Sequence, residues 1–177
     1  SNYAFEETEK LRTINWGGIK EIGEQSFASS GLTNISISTK VTTIETNAFM
    51  NCKSLTTVEY PVSATSYSTN IFEGCEKLTT LKIIGKGTLK EYTSGNQPWS
   101  NNKETITKIT IGNEVSGIGS YAFEGTSITT ISIPDSVTIL GDYVFSNCDK
   151  LESVKMSKVT TIGEQAFAST VLKTIDL

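Results

Sequence analysis

The cysteines carry the most reactive side chains of this chain, and they recur at one repeating position. Cys52, Cys75 and Cys148 each lie three residues after a phenylalanine. Thiolates can bind zinc, but a structural zinc site needs about four ligands, and the chain has no histidine. The pattern favours a row of buried free thiols, because free cysteine is among the most buried side chains. A Cys52–Cys75 disulfide is the alternative if both lie on adjacent repeats, since neighbouring strands stack about 4.8 Å apart.

Other catalytic groups are missing or badly placed. Without histidine, neither a Ser-His-Asp nor a Cys-His arrangement is possible. The glycine pair Gly85 and Gly87 is too short to form a dinucleotide or phosphate fingerprint. Neighbouring carboxylates occur on predicted exposed turns, where we interpret them as solvated rather than as a glycosidase acid pair: Glu6 with Glu7, Glu21 with Glu24, and Asp149 with Glu152. The sequence therefore predicts a protein that is not an enzyme and has no cofactor or metal.

Charge and hydropathy exclude two classes of partner. The 15 basic and 19 acidic residues give a net charge of −4 and are scattered along the chain, whereas nucleic-acid binding needs a basic stripe. No apolar run reaches the roughly 20 residues that cross a bilayer, so we expect no membrane insertion. The chain opens within a repeat, at Tyr3–Phe5, and stops on a strand, at 174–177. We therefore expect a fragment of a longer protein.

The elements that position these side chains belong to one repeated unit. A phenylalanine returns at steps of 22, 22, 23, 51, 22 and 22 residues, and Trp99 lies inside the double-length step. Sequence repeats with a period of 20 to 50 residues indicate a solenoid, in which neighbouring repeats bury each other's apolar faces. The repeated aromatic residues are Phe5, Phe27, Phe49, Phe72, Trp99, Phe123, Phe145 and Phe167.

Two segments of the unit predict its secondary structure. The segment L-x-x-I-x-I, as in residues 32–37, alternates like a half-buried strand. The segment V-x-x-I-G-x-x-A-F, as in residues 159–167, predicts a short extended piece and a helical or 3₁₀ turn that carries the phenylalanine inward. Its glycine is replaced in two copies by Glu45 and Ser68, so a positive φ is not required there.

The predicted fold is a parallel solenoid that is mostly β-strand and loop. We expect a single domain over residues 1–177 with about eight repeats, right-handed and curved. One face carries a parallel β-sheet of about eight strands, and the other carries short strands and helical or 3₁₀ turns. One unit cannot fold alone, because its apolar side chains have no second layer to cover them. We expect a monomer whose apolar ends allow end-to-end pairing at high concentration.

These two segments resemble the leucine-rich repeats of the BspA-like, or treponemal, type. The resemblance covers essentially the whole chain, because a unit of 22 to 23 residues recurs about seven times. It implies a surface or secreted protein of a host-associated bacterium or a parasitic protist. The family is implicated in adhesion to host matrix proteins, host cells or other bacteria, and it offers no catalytic residues. The chain departs from the pattern at 60–67 and at 84–105, where Trp99 stands in place of phenylalanine.

The strand face and the long segment 84–105 are the candidate binding surfaces. In horseshoe-shaped repeats the strand face is concave and is the usual binding surface, and long loops in compact repeats are often functional. The alternatives are a solvated face without a ligand, and a loop whose Trp99 and Tyr92 pack inward. The candidate contacts are Asn15, Ser36, Glu59, Lys82, Thr110, Ser132 and Lys155 on the strands and Tyr92 and Asn96 in the loop.

Two functions fit this sequence. The first is an extracellular binding module, at the cell surface or secreted, that adheres to host or microbial surface proteins or glycans. The second is a structural spacer that holds another domain away from the cell. A binding module needs a patch of protruding, non-repeating residues, whereas a spacer has a uniform surface. The segment 84–105 favours the first function.

Overall fold

A computed structural model describes all residues, 1–177. The chain forms fourteen short strands and one 3₁₀ helix, Ser100–Asn102. The strands are β1 (Glu21–Ile22), β2 (Asn34–Ser36), β3 (Thr43–Ile44), β4 (Thr57–Pro61), β5 (Ser66–Tyr67), β6 (Thr80–Ile84), β7 (Gly87–Leu89), β8 (Lys108–Ile111), β9 (Val115–Ile118), β10 (Thr130–Ser132), β11 (Ile139–Leu140), β12 (Ser153–Lys155), β13 (Thr161–Ile162) and β14 (Thr174–Asp176).

The strands alternate between two walls of a parallel solenoid. The even-numbered strands, which carry the I-x-I residues, form the front wall as two sheets, β2-β4-β6-β8 and β10-β12-β14. The odd-numbered strands form the back wall as β1-β3-β5 and β7-β9-β11-β13. All pairs are parallel, as in Val58 beside Leu81. The predicted solenoid is confirmed, with seven strands on each wall.

The front wall has seven strands rather than the eight that the repeat predicted, because the first copy does not pair. Residues 13–15 make no backbone ladder to β2. In the next copy the Ile37 amide donates to the Glu59 carbonyl at 2.9 Å. At the first copy the indole Nε1 of Trp16 takes this role and donates to the Ser36 carbonyl at 2.6 Å. A side chain has therefore replaced the last bond of the ladder.

The segment around each phenylalanine is a series of tight turns. Around Phe27, the amides of Gln25, Phe27 and Ser29 donate to carbonyls of the next repeat, while the intervening amides donate to carbonyls three residues earlier. Gln25 and Ser29 adopt left-handed φ values of 48° and 55°. This alternation differs from the expected helical turn, which forms only at 100–102. Every second amide of the segment therefore donates to a carbonyl of the next repeat, so the turns of successive repeats are joined by backbone hydrogen bonds.

The glycine before each phenylalanine is required by close packing. A Cβ on Gly119 or Gly141 would lie 2.4 Å from backbone atoms of the preceding repeat, the Lys90 oxygen and the Ser120 nitrogen respectively. Neither glycine has a left-handed φ, which agrees with the sequence expectation. The absence of a side chain therefore lets successive repeats approach each other.

The aromatic rings form two stacks along the solenoid axis. Phe5, Phe27, Phe49 and Phe72 stack with ring centroids 5.2 to 5.6 Å apart. Trp99, Phe123, Phe145 and Phe167 form the second stack, with centroids 5.5 to 6.1 Å apart. The inner phenylalanines are buried, whereas Phe5 is 47% exposed. The predicted spine is confirmed, with an interruption between Phe72 and Trp99.

Trp99 fills the position of the missing phenylalanine, as one of the two sequence alternatives predicted. It is 1% exposed, and its ring meets those of Tyr60 and Tyr92 edge-on, with centroids 5.2 and 5.7 Å away. Its Nε1 donates to the Ala122 carbonyl at 3.0 Å, and Gln97 Nε2 donates to the carbonyl of Tyr121. Side chains of the long segment therefore supply bonds to the next repeat where the regular turn is lost.

The long segment also interlocks the two halves of the solenoid. The back wall breaks between β5 and β7, and the front wall breaks between β8 and β10. The chain therefore leaves the first half at β7, returns to it at β8 and leaves it again at β9. On the return, Asn102 Nδ2 donates to the Cys75 carbonyl at 3.2 Å. Strand β7 therefore belongs to the second half, although it precedes β8, which belongs to the first half.

We expect Phe123→Ala to cost about 3–5 kcal/mol of unfolding free energy, because Phe123 is buried between two rings and leaves a cavity. Phe5→Ala should cost clearly less, since the Phe5 ring is half exposed and stacks on one side only. Urea or guanidinium melts of both variants measure the difference. Equal losses would contradict the stacked spine.

The two ends carry complementary unpaired groups. The amides of Gln165, Phe167 and Ser169 have no partner, and neither do the carbonyls of Ala4 and Glu6. Because the equivalent groups bond between internal repeats, we expect weak head-to-tail association at high concentration. Sedimentation over a concentration series measures it, and Phe5→Asp should abolish it. A monomer at every concentration would show that these ends do not pair.

Candidate functional site

Three polar side chains on neighbouring front strands form a hydrogen-bonded chain. Ser36, Glu59 and Lys82 lie side by side on β2, β4 and β6. Ser36 Oγ donates to Glu59 Oε2 at 2.6 Å, and Lys82 Nζ donates to Glu59 Oε1 at 2.9 Å. The hydrogen bond from Lys82, and then that from Ser36, lowers the pKa of the Glu59 carboxyl. The carboxylate is therefore already compensated before any ligand arrives.

A second row of polar residues runs beside this chain and completes a shallow groove. Its members occupy the strand position two residues earlier and share the parallel register. Lys108 has no ion-pair partner, and Lys82 pairs with Glu59. The groove thus holds two ammonium groups and one carboxylate, which suits ligand oxygens. We define the front groove by its side chains: Asn34, Ser36, Thr57, Glu59, Thr80, Lys82 and Lys108.

The other strand candidates share the front face but lie outside the groove. Thr110, Ser132 and Lys155 are exposed on β8, β10 and β12. Asn15 is exposed near the unpaired first copy, and its Oδ1 accepts the Gly17 amide at 3.2 Å. The structure therefore places three candidates in the groove, three further along the same face and one at the end. Lys108 in the second row is a groove residue that the candidate set lacked.

The loop candidates are not part of the strand face. Tyr92 is only 5% exposed, because its ring packs against Tyr67 and Trp99, so it is not a surface contact. Asn96 is exposed but lines a separate concavity beside the back wall, with Tyr67 and Lys90 among its neighbours. The expected combined surface of strand face and loop is therefore wrong, since the two lie on different walls.

The concavity beside the back wall, here called the back concavity, contains a contact between Lys90 and Tyr67 that the sequence did not predict. Lys90 Nζ lies 4.7 Å from the centroid of the Tyr67 ring and donates to the Thr65 carbonyl at 3.0 Å. A cation over an aromatic face is a favourable contact, and here the protein supplies both partners. The only sequence signal was the loss of the V-x-x-I-G pattern at 60–67.

The cysteines are free and buried, so the disulfide alternative is not adopted. The thiols of Cys52, Cys75 and Cys148 donate to the carbonyl of the phenylalanine one repeat earlier, at 3.1 to 3.2 Å. The threonines in the same slot, Thr8, Thr126 and Thr170, instead donate to the phenylalanine carbonyl of their own repeat. Burial raises the pKa of Cys148, which makes its thiol unreactive.

No group of three or more histidine, cysteine, aspartate or glutamate side chains is arranged to hold a metal ion. None of the structure's helices has the length and apolar character needed to cross a membrane.

Comparison with protein families identifies the repeat. The sequence model of the BspA type leucine rich repeat region matches six copies over residues 1–97 and 95–177. No curated protein sequence matches the chain significantly.

Several solved structures are similar to this chain. A leucine-rich repeat protein from Bacteroides ovatus is 26% identical, with a TM-score of 0.59 over 99% of this chain. This chain spans only 51% of that protein's length. The T. pallidum leucine rich repeat protein is 21% identical, with a TM-score of 0.46 over 70% of this chain and 58% of its own. A leucine rich cell surface protein from Faecalibacterium prausnitzii is also 21% identical, with a TM-score of 0.44 over 94% of this chain and 68% of its own.

We expect Lys82→Met to raise the pKa of Glu59 toward the ordinary value of about 4.3, because the variant removes the ammonium that stabilises the carboxylate. A group with a lowered folded pKa stabilises the fold above its unfolded pKa and loses that effect as the pH falls through its folded pKa. Glu59→Gln should therefore destabilise the protein at neutral pH, and this destabilisation should shrink progressively as the pH falls below the ordinary carboxyl pKa of about 4.3.

NMR titration of the Glu59 carboxyl measures the first effect, and denaturant melts at several pH values measure the second. Lys155→Met is the matched control, because it removes a lysine from the same face without touching Glu59. An unchanged Glu59 pKa in Lys82→Met would contradict the contact.

Proposed function

The chain belongs to the BspA-type leucine-rich repeat family, and we propose that it is a non-catalytic binding module of a surface or secreted protein. Its partner is an extracellular protein or glycan, and its role is adhesion to host or microbial surfaces. The observation that supports this proposal is the front groove, which brings the charged side chains of Lys82, Glu59 and Lys108 together among small polar residues.

The rigidity of the front wall supports binding through these side chains. The groove strands β2, β4, β6 and β8 form one continuous hydrogen-bonded sheet over a fully buried core. Glu59 holds Lys82 in place at 2.9 Å. Groups that are ordered before binding lose less entropy when a ligand arrives, so even an exposed polar groove can give useful affinity.

Charge in the groove favours ligands with several oxygen atoms. The unpaired Lys108 ammonium and the hydroxyls of Thr57 and Thr80 present donors along one line. The chain as a whole carries a net charge of −4, which disfavours capture of polyanions by long-range attraction. Binding by hydrogen bonds to carbonyl, carboxylate or hydroxyl oxygens is the mode that fits both observations.

A spacer that presents another domain is the second candidate. It is favoured by the burial of Tyr92 and Trp99, since these were the aromatic groups of the one irregular segment. The front rows carry no aromatic anchor of the kind that dominates tight interfaces. The two functions differ in whether the front groove has any ligand.

The test is a binding screen of the protein against immobilised host matrix proteins and a glycan array. We expect weak binding that falls about tenfold in the double variant Lys82→Ala/Lys108→Ala, because charge-assisted hydrogen bonds contribute about 1.5–3 kcal/mol each and part of this is screened at the surface. The double variant Lys40→Ala/Lys158→Ala, which removes the same charge from turns between the walls, should keep full affinity.

The outcomes separate the two functions. Equal affinities of the two double variants would reject the front groove. Absence of any binding by the wild type would favour the spacer. Asn96→Ala, tested alone, reports whether the back concavity contributes, and its effect is independent of the groove variants because the two surfaces share no residue.

A further inference from the structure

The back concavity lies where the back wall is interrupted. No ladder joins β5 to β7, and the chain departs from the repeat on both sides of this break, at 60–67 and at 84–105. The volume of the concavity is about 430 Å³, which is within the range of small-ligand pockets. Its lining comes from both sides of the break: Thr65, Ser66, Tyr67, Thr69, Lys90 and Asn96.

The edge of β5 at this break carries an amide without a partner. Ser66 and Ser68 donate their amides to carbonyls on the β3 side, those of Thr42 and Ile44. Backbone groups alternate in direction along a strand, so the Tyr67 amide points the other way, toward the break. It donates to no acceptor of the protein. The interrupted wall therefore leaves a backbone donor that the fold does not use.

Lys90 satisfies the neighbouring acceptor on the same edge. The Thr65 carbonyl, two residues before Tyr67, faces the same way and accepts a hydrogen bond from Lys90 Nζ at 3.0 Å. The same ammonium lies 4.7 Å from the centroid of the Tyr67 ring, which is a favourable distance for a cation over an aromatic face. A side chain thus replaces one bond of the missing ladder, and its position is fixed from two sides.

The Lys90 ammonium has no carboxylate partner. The ion pairs of the structure join Lys82 to Glu59 and Lys173 to Glu152, and no acidic residue lines the back concavity. An ammonium carries three N–H donors, and the Thr65 carbonyl takes one of them. Two donors and one unpaired positive charge therefore remain on the same edge as the Tyr67 amide.

This set of donors fits a carboxylate. The rest of the lining is neutral and offers hydroxyl and amide groups. One ammonium balances one negative charge, which is the charge of a carboxylate, whereas a phosphate monoester carries about −1.5 to −2 at neutral pH. A carboxylate accepts hydrogen bonds at both of its oxygens, and hydrogen bonds between an ionised donor and an ionised acceptor are among the strongest.

We propose that the back concavity is a second binding site, which takes a carboxylate group of a partner molecule. The Lys90 ammonium and the Tyr67 amide hold the carboxylate oxygens, and the hydroxyls of the lining contact the remainder of the ligand. The site shares no residue with the front groove, so it does not depend on the function proposed for that groove. An acidic sugar and an acidic peptide side chain both supply this group.

The first test measures amide hydrogen exchange in the free protein by NMR. The Tyr67 amide should exchange much faster than the amides of Ser66 and Ser68. These two are matched controls, because they lie on either side of Tyr67 and bond toward β3. Equally slow exchange of all three amides would mean that the Tyr67 amide has a partner within the protein, and it would overturn the inference.

The second test titrates the protein at constant ionic strength with two carboxylates, sodium glucuronate and N-acetylglutamate methylamide. We expect at least one of them to shift the resonances of the Tyr67 amide and the Lys90 side chain. Glucose and N-acetylglutamine methylamide are the neutral counterparts and should not shift them. Equal shifts by a carboxylate and its neutral counterpart, or no shift by either carboxylate, would overturn the inference.

Variants of Lys90 test the role of its charge in the same titration. Lys90→Met removes the ammonium and should weaken binding of the carboxylate about tenfold, because a charge-assisted hydrogen bond is lost. Lys90→Arg retains the charge and should bind more tightly than Lys90→Met. Lys155→Met, which removes a lysine from the front wall, should leave the affinity unchanged. An affinity that does not fall in Lys90→Met, or that falls equally in Lys155→Met, would reject the site.

The two probes also identify the source of the carboxylate. Binding of glucuronate alone assigns an acidic sugar, binding of the glutamate derivative alone assigns an acidic peptide segment, and binding of both means that the carboxylate itself is recognised. The front-groove variant Lys82→Ala/Lys108→Ala should bind these probes as the wild type does. The two sites can therefore fail or stand separately.

Discussion

Every part of this molecule depends on the contact between one repeat and the next. A single repeat offers its phenylalanine ring, its cysteine thiol where it has one, and half of its amides to a neighbour, and it can satisfy none of them alone. Phe49, for example, stacks between Phe27 and Phe72, and its amide donates to the Ile71 carbonyl of the following repeat. The ring is thus shared with both neighbours, the amide bonds to the following repeat, and the thiol of Cys52 bonds to the preceding one. The stability of such an array is approximately a sum over pairs of adjacent repeats. An irregular repeat must therefore still pack against the repeat on each side of it.

The segment 84–105 shows how an irregular repeat meets that requirement. Trp99 offers a ring to Phe123, but its opposite side meets Tyr60 edge-on instead of stacking on Phe72. The lost backbone ladder is replaced by side-chain donors from Gln97 and Asn102. Because β7 joins the second half and β8 the first, the halves cannot separate without breaking this core.

The repeat period predicted the features that recur in every copy. It did not predict the features that depend on the local path of the backbone. The spacing of the phenylalanines was enough to place the spine and Trp99, because an aromatic residue at that position must fill the same volume in every copy. The left-handed φ values at Asn47 and Asn51 had a signal in residue type, yet other copies hold tyrosine or glutamine at the first position and serine or glutamate at the second. The burial of Tyr92 and the missing ladder between β8 and β10 arise from the extra residues of one repeat. These residues do not follow the repeat period, so the sequence pattern does not predict where they lie.

The candidate site was predicted in part for a related reason. The outward residues of I-x-I are not constrained by packing in the core. The sequence therefore shows directly which side chains line the front face. The hydrogen bonds among Ser36, Glu59 and Lys82 then follow from register alone. Lys108 was not predicted as a neighbour of Lys82, because the longer spacing before β8 conceals their proximity. The β8 strand completes the groove on one edge and has no ladder to β10 on the other.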